Sequence, residues 1–148
     1  MYQRILVAVD GSPTSRAALE EAIKLAREPS ATLHIVHVLD EVSVNWDSNY
    51  ARPAERWKTL EAKGDEVLQA SAASARKDGI ACDTKLVQMD RLGLRVAEAI
   101  AEEAESWGAD LIVLGTHGRR GVHHALLGSV AEAVVRVATK PVLLIRGR

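Results

Sequence analysis

The sequence predicts an α/β fold in which helices cover both faces of a doubly wound parallel sheet. Short apolar runs alternate along the chain with longer segments of helical period, and this alternation is typical of βαβ units. Most of the apolar runs are nearly continuous, as expected for strands that are covered on both faces. Because parallel crossover connections are right-handed in nearly all proteins, we expect the helices to lie on both sides of one twisted sheet.

Five apolar runs are expected to form the strands. The run at 81–88 alternates between apolar and polar residues, so it predicts an edge strand. The last run begins with Pro141, which is tolerated at the start of a strand or at a sheet edge. The predicted strands span residues 4–10, 32–39, 81–88, 110–115 and 141–145.

Four helices are expected between these strands, because apolar residues recur there at a spacing of about 3.6 residues. The third helix should end at Trp107-Gly108, and the fourth should end before the "TKP" segment. The residues expected to line the apolar stripes are Ala18, Ala22, Leu25 and Ala26 in the first helix, Leu60, Val67, Leu68, Ser71 and Ala75 in the second, Ala97, Ile100, Ala101 and Ala104 in the third, and Val130, Val134, Val137 and Ala138 in the fourth.

The composition is that of an ordinary soluble globular domain. The 148 residues are 47% hydrophobic and 26% charged, so one domain spanning residues 1–148 is expected. A formal net charge of −1 gives no overall attraction to nucleic acid or to anionic membranes. Cys82 is the only cysteine, which excludes an internal disulfide and fits a reducing compartment. No signal-peptide pattern or membrane-length apolar run is found, so a cytoplasmic location is expected.

Residues 40–58 form a long connection without a clear period. The segment holds Trp46, Tyr50 and Trp57, which are three of the five aromatic residues of the chain. Connections of this length in compact domains are usually lids, binding loops or disordered segments. The alternative is that Trp57 already belongs to the second helix and packs on the core.

Asp10 follows the first strand, at a position where doubly wound sheets bind ligands. Such ligands lie outside the carboxyl ends of strands, at the point where the strand order reverses. Ser12 and Pro13 have the residue types of an N-cap and a first helical position, so the cap role is filled without Asp10. Asp10 is therefore a candidate to accept hydrogen bonds from a ligand. The alternative is an Asx-turn within "DGS".

The segment after the fourth strand, "GTHGRRGVHHALLGSV" at 115–130, has the composition of a phosphate-binding loop. Its glycines, at positions 115, 118, 121 and 128, permit close backbone approach and positive φ angles. The next helix should begin near Ser129 and would add aligned N–H donors and the positive end of its dipole. The segment is not a Walker A loop, because that motif needs Gly-Lys-Ser/Thr and Ser129 follows Gly128 directly.

The spacing of these glycines resembles a known family signature. Gly115-x-x-Gly118, nine further residues and then Gly128-Ser129 are similar to the signature of the nucleotide-binding branch of the universal stress protein family. The resemblance covers nearly the whole chain, including "ILVAVDGSPTS", "HIVHVL", "GADLIVLGTHGRRG", "LLGSVAEAVVR" and "KPVLLIR". It implies a Rossmann-like, five-stranded parallel sheet with strand order 3-2-1-4-5, in which the ends of the first and fourth strands lie side by side.

The resemblance also implies an ATP site built from residues in these matching blocks. Asp10 would bind the ribose or contact a metal ion, Mg²⁺, on the phosphates, and His117 and Arg119 are further candidates near the phosphates. By similarity, the adenine and ribose would contact Ala8, Val9, Asp10 and Val38, the phosphates would contact Gly115, Gly118, Gly128, Ser129 and Val130, and Leu114 would complete the nucleotide contacts.

The histidines invite a metal hypothesis that their arrangement does not favour. His117, His123 and His124 have no cysteine nearby, and the adjacent pair makes a poor tetrahedral site. His34 and His37 fall on opposite faces of the second strand, so they cannot act together there. Packing or hydrogen bonding is the expected role of each.

The resemblance implies an ATP-binding protein of a stress response, and the residues favour a regulatory module, because phosphate donors are evident but a nucleophile with an adjacent base is not. Two alternatives stay open. One is a slow ATPase or phosphotransferase, in which Asp10 holds Mg²⁺ and His117 or Ser129 acts in the transfer. The other is an interaction protein whose glycine loop is a structural relic and binds no nucleotide.

The last predicted strand points to a homodimer. If the run at 141–145 is the fifth strand it lies at a sheet edge, and an exposed apolar edge invites pairing. We expect a two-fold dimer in which this strand pairs with its copy, as the family resemblance also implies. The interface residues would be Val142, Leu143, Leu144 and Ile145.

Overall fold

Strands and helices alternate along the chain as the sequence predicts. The computed structural model describes residues 1–27, 30–40, 53–89, 95–118 and 127–147. Within these residues the elements are β1 (Arg4–Ala8), α1 (Pro13–Ala26), β2 (Thr32–Leu39), α2 (Pro53–Lys77), β3 (Ala81–Gln88), α3 (Val96–Trp107), β4 (Leu111–Gly115), α4 (Ser129–Val137) and β5 (Val142–Ile145). No helix in these ranges is both long enough and apolar enough to cross a membrane.

The boundaries of the elements agree closely with the expected ones. β1 ends at Ala8, so Val9 and Asp10 lie beyond the strand instead of closing it. α2 begins at Pro53, inside the segment expected to be a connection, so Trp57 belongs to this helix as the alternative proposed, and it is half-buried. Trp46 and Tyr50 lie outside the described residues.

The five strands form one parallel sheet in the order β3-β2-β1-β4-β5, which confirms the predicted topology. β1 is central and pairs with β2 on one side and with β4 on the other, where Val7 is in register with Val113. The chain therefore adds β2 and β3 on one side of β1 and then adds β4 and β5 on the other side, so the strand order reverses between β1 and β4. Their carboxyl ends lie side by side at this point.

Each face of the sheet carries its own core. Ile5 and Val7 of β1 face α1 and α2, whereas Leu6 between them faces α3 and α4. Successive side chains of a strand point to opposite faces, so a continuous apolar run is needed to fill both cores. The edge strand β3 instead alternates, with Cys82 and Leu86 packed on the α2 side.

The helices pack mainly on the predicted stripes, with one correction in α4. Val134 is fully buried, but Val130 and Val137 are 37% and 41% exposed, and Ala138 lies one residue beyond the helix. Ala131, which was not among the predicted stripe residues, is buried together with Val134. In the other helices the buried members of the stripes are Ala18, Ala22, Ala26, Leu68, Ser71, Ala75, Ala97, Ile100 and Ala104, and the half-buried ones are Leu25, Leu60, Val67 and Ala101.

His34 links three elements on the α3 side of the sheet. Its Nδ1 contacts the Asp83 carboxylate of β3, and its Nε2 lies 2.9 Å from Glu103 Oε1 of α3. The ring stacks on Trp107 with the ring centroids 4.7 Å apart. Lys85 Nζ donates to the second oxygen of Glu103 at 2.8 Å. Hydrogen bonding and packing are thus the role of His34, as expected from its place on the strand.

We expect His34→Leu to lower the free energy of unfolding by about 2 kcal/mol, because it leaves the buried Glu103 carboxylate without one of its hydrogen-bond donors. Chemical denaturation measures this change. Asp83→Asn is the matched control: the Asp83 side chain is 58% exposed, so its loss should cost less than about 1 kcal/mol. Equal unfolding free energies for the wild type and His34→Leu would contradict the assigned role.

Candidate functional site

The ends of β1 and β4 bring Asp10 and the glycine segment together. Asp10 lies just beyond β1, and Gly115 is the last residue of β4. Asp10 Oδ2 lies 2.7 Å from the point that a Cβ on Gly118 would occupy. Gly118 and Ser129 are both exposed. The two segments singled out in the sequence therefore meet at the point where the sheet order reverses, on a surface that solvent reaches.

The turn between β1 and α1 orients the Asp10 carboxylate. Ser12 is the N-cap of α1, and its Oγ accepts a hydrogen bond from the Ser15 N–H at 3.2 Å. Asp10 Oδ1 accepts from the Ser12 N–H at 2.9 Å, which is the Asx-turn weighed as the alternative for "DGS". Gly11 adopts the left-handed conformation, with φ of 83°, that this turn requires. The turn uses Oδ1 and directs Oδ2 toward Gly118, so the Asx-turn and a binding role are compatible.

The loop glycines are needed mainly because the chain packs tightly against itself. A Cβ on Gly115 would lie 2.6 Å from Thr14 Cγ2, and a Cβ on Gly128 would lie 2.9 Å from the Thr116 carbonyl oxygen. Positive φ angles were expected in this loop, but among the described glycines they occur only at positions 11, 79 and 108. Close backbone approach is therefore the reason for glycine at the described loop positions. Gly121 lies outside the described residues.

Among the described residues, no side chain caps the N-terminus of α4. α4 begins at Ser129, and its N-cap Gly128 has no side chain with which to cap it. The Gly128 N–H donates to the Thr116 carbonyl at 2.6 Å, which ties the helix start to the end of β4. The first N–H groups of a helix have no partner within the helix and carry the positive end of its dipole. This arrangement suits an anion next to Ser129 and Val130.

The apolar candidates divide between the two faces of the sheet. Ala8, Val38 and Leu114 belong to the core beneath α3 and α4, on the same side as the α4 N-terminus. Val9 is buried in the opposite core, and its N–H donates to the Val36 carbonyl at 2.9 Å. The structure thus places three of these four side chains on the face that α3 and α4 cover and Val9 on the opposite face.

The remaining candidates are only partly described. His117 Nδ1 lies 3.1 Å from Thr116 Oγ1, beside the Thr116 carbonyl that holds Gly128. Arg119, His123 and His124 lie outside the described residues. Across the described ranges no cluster of three or more acidic, histidine or cysteine side chains could hold a metal ion, so Asp10 would need oxygen atoms of a ligand to complete a metal site.

Sequence reasoning missed the link between His37 and the site. His37 Nδ1 donates to the Val9 carbonyl at 2.8 Å, which belongs to the peptide group that joins Val9 to Asp10. Hydrogen bonding was expected for His37, but its partner was not. The signal available in the sequence was that His37 is a polar residue in a buried strand and directly precedes Val38, a candidate site residue.

Comparison with known proteins gives the chain a family. The model of the universal stress protein family matches residues 1–146. Universal stress protein MJ0531 of Methanocaldococcus jannaschii is 34% identical over 151 residues, which covers 99% of this chain and 83% of that protein. A universal stress protein family member of Burkholderia pseudomallei is 34% identical with a TM-score of 0.76, covering 97% of this chain and 96% of the other.

Other solved structures share the fold at lower sequence identity, and some contain nucleotides. Hypothetical protein MJ0577 has a TM-score of 0.87 at 26% identity, covering 100% of this chain and 98% of its own. The Archaeoglobus fulgidus universal stress protein in complex with dAMP has a TM-score of 0.70 at 26% identity, covering 97% and 98% of the two chains. A universal stress protein in complex with cAMP has a TM-score of 0.73 at 25% identity and covers 99% of each. Given the match over residues 1–146, this chain belongs to the universal stress protein family.

Proposed function

We propose that this protein binds an adenine nucleotide, ATP, where β1 and β4 end, and acts as a nucleotide-responsive regulatory module in a stress response. The observation that carries the proposal is that the Asp10 carboxylate meets Gly118 in the segment that also contacts Gly128, the N-cap of α4, which has no side chain of its own. A carboxylate accepts hydrogen bonds from hydroxyl groups, and a helix N-terminus attracts phosphate. The complexes of two family members with dAMP and cAMP support the adenine nucleotide class.

The phosphates would lie at the start of α4. There the backbone N–H groups of Ser129 and Val130 point along the positive end of the helix dipole. Gly118 would let the loop backbone approach the phosphate chain. The other proposed phosphate contacts are Gly115, His117, Arg119 and Gly128.

The nucleoside would lie on the α4 side of the sheet end. Asp10 Oδ2 would accept a hydrogen bond from a ribose hydroxyl or bind Mg²⁺ held by the phosphates, because Mg²⁺ prefers oxygen ligands. Ala8, Val38 and Leu114 would supply the apolar contacts to adenine from the face that they share. Val9 would contribute only through the strand end that it supports.

Regulation is proposed in preference to turnover because of the chemistry gathered at the site. Besides the Ser129 hydroxyl and the His117 imidazole, the described groups there are N–H donors, apolar side chains and the Asp10 carboxylate, a set suited to holding a ligand. One nucleotide bound both to the N–H groups at the start of α4 and to Asp10, just before α1, would link the two helices. A module of this kind signals by changing the stability or the shape of the site when nucleotide binds.

We expect freshly purified protein to release an adenine nucleotide on denaturation, or to bind added ATP, with Gly118→Val lowering the affinity by at least about 100-fold. A Cβ at position 118 would collide with Asp10 Oδ2 at 2.7 Å, and a branched side chain would fill the space beside it. Chromatography of the released nucleotide and calorimetric titration measure both parts. An effect of this size corresponds to a loss of about 2.7 kcal/mol of binding free energy.

Gly79→Asn is the matched glycine control for this experiment. Gly79 has φ of 74° and open space where a Cβ would stand, and asparagine tolerates the left-handed conformation. The control should bind ATP as the wild type does. Wild-type protein that releases no nucleotide and gives no heat with ATP or AMP would overturn the proposed function.

We also propose that two copies pair through β5. This strand forms one edge of the sheet, and its four residues are only half-buried. Val142 and Leu144 lie on the face that α4 covers, and Val137 of α4 is itself 41% exposed. An apolar edge of this kind is normally covered, and a second copy presents a complementary strand. Leu143 and Ile145 would extend the interface on the other face.

Replacing Val142 or Leu144 by lysine should convert the dimer to a monomer, because it would place a charge in the paired edge. Light scattering coupled to size-exclusion chromatography gives the mass at each protein concentration. Gln88→Lys adds the same charge at an exposed site of the opposite edge strand and should leave the dimer intact. Dimer mass in both edge variants of β5 would contradict this interface.

A further inference from the structure

His37 lies at the end of β2, beside the point where β1 leaves the sheet. The imidazole is 9% exposed, and its Nδ1 donates to the Val9 carbonyl oxygen at 2.8 Å. In the described part of the chain, the last backbone hydrogen bond between β1 and β2 runs from the Val9 N–H to the Val36 carbonyl. The hydrogen bond from the His37 side chain to the Val9 carbonyl therefore lies just beyond the last backbone hydrogen bond between β1 and β2.

The peptide group between Val9 and Asp10 is held from both sides. Its carbonyl oxygen accepts from His37 of β2, and its N–H donates to Ser15 Oγ of α1 at 3.2 Å. A trans peptide is planar, and its C=O and N–H point in opposite directions. Two hydrogen bonds on opposite sides fix the rotation of this plane, and so they fix the direction in which the Asp10 side chain leaves the backbone.

A small rotation of this plane would disturb the site. Asp10 Oδ1 already accepts from the Ser12 N–H at 2.9 Å, while Oδ2 lies so close to Gly118 that even a Cβ would not fit. A carboxylate held between two such neighbours has little room to move. Its usefulness for a ligand depends on the orientation of the peptide that carries it.

We infer that His37 is a positioning residue that orients Asp10 for the adenine nucleotide. This inference rests on the proposed function. His37 does not itself reach the nucleotide side of the sheet: its neighbour Val38 faces the core beneath α3 and α4, and successive strand residues point to opposite faces. Its effect on binding is transmitted through the Val9 carbonyl.

The surroundings of His37 fix both its proton and its orientation. A carbonyl oxygen only accepts, so Nδ1 must carry a hydrogen. Gly64 of α2 lies over the ring, where a Cβ would approach His37 Cδ2 to 2.9 Å and Leu86 Cδ1 to 2.7 Å. The missing side chain of Gly64 lets α2 pack on the imidazole and keeps the ring in place.

His37→Leu and His37→Asn separate the hydrogen bond from the volume of the side chain. Leucine fills similar space without a donor, whereas the Asn amide nitrogen can lie near the position of Nδ1 and donate. We expect His37→Leu to weaken ATP binding by about tenfold in calorimetric titrations and His37→Asn to stay within about threefold of the wild type. Ile35→Val is the control, because this residue is fully buried on the same face of β2 and its truncation lowers stability without touching Val9.

Amide hydrogen exchange in the nucleotide-free protein tests the positioning step separately. The Asp10 and Ser12 N–H groups should exchange faster in His37→Leu than in Ile35→Val, and His37→Asn should restore their protection. If the wild type binds no nucleotide, the proposed function fails. Unchanged exchange at Asp10 and Ser12 in His37→Leu would separately overturn the positioning role. Faster exchange with unaltered ATP affinity would also overturn the inference, since Asp10 orientation would then not govern binding.

Gly64→Ala supplies a second variant should His37→Leu fail to fold. Alanine has the higher helix propensity, so α2 itself is not weakened, but the added methyl group must displace the ring or Leu86. We expect faster exchange at Asp10 and weaker ATP binding, in the same direction as His37→Leu. Wild-type values for both measurements would contradict the inference.

Discussion

The parallel pairing of β1 with β4 is the constraint on which the rest of the structure depends. The chain builds the sheet outward from β1 to β2 and β3, and then returns to add β4 on the other side of β1. Because the two strands run in the same direction, the turn after Asp10 and the loop after Gly115 emerge next to each other. Helices covering opposite faces follow these two connections, and doubly wound sheets bind ligands at such a point. The proposed nucleotide site lies there.

Both packing and ligand binding require positions without a side chain in the loop after β4. Gly115 makes room for Thr14, and Gly128 makes room for the Thr116 carbonyl, so both positions need glycine even without a ligand. Gly118 differs, because the atom that excludes a side chain there is the carboxylate oxygen of Asp10. The spacing of the glycines is therefore weaker evidence for a nucleotide than the contact that Gly118 makes.

Sequence patterns predicted the sheet well because burial on both faces leaves a continuous apolar run, and burial on one face leaves an alternation. They did less well where packing depends on size and distance. The valines of α4 form a plausible stripe, yet only Val134 of them is buried and Ala131 takes the other buried position, which the apolar periodicity did not indicate. The loop glycines likewise required knowledge of which chain segment lies against each of them.

The least predictable part of the site is the one that orients Asp10. The sequence indicated an N-cap at Ser12 and a candidate carboxylate at Asp10, since both have local signals. The hydrogen bond from His37 to the Val9 carbonyl joins residues 28 positions apart and depends on which strands are neighbours. A buried strand histidine next to a switch point is a useful cue, but only the topology identifies its partner.

The most direct test of the central claim is to follow backbone amide resonances while ATP is added to the protein. Binding where β1 and β4 end predicts that the largest shifts occur at Asp10, Gly118, Ser129 and Val130. The amide of Cys82 on the distant edge strand should stay unchanged. No saturable shifts, or shifts concentrated away from the ends of β1 and β4, would contradict the account.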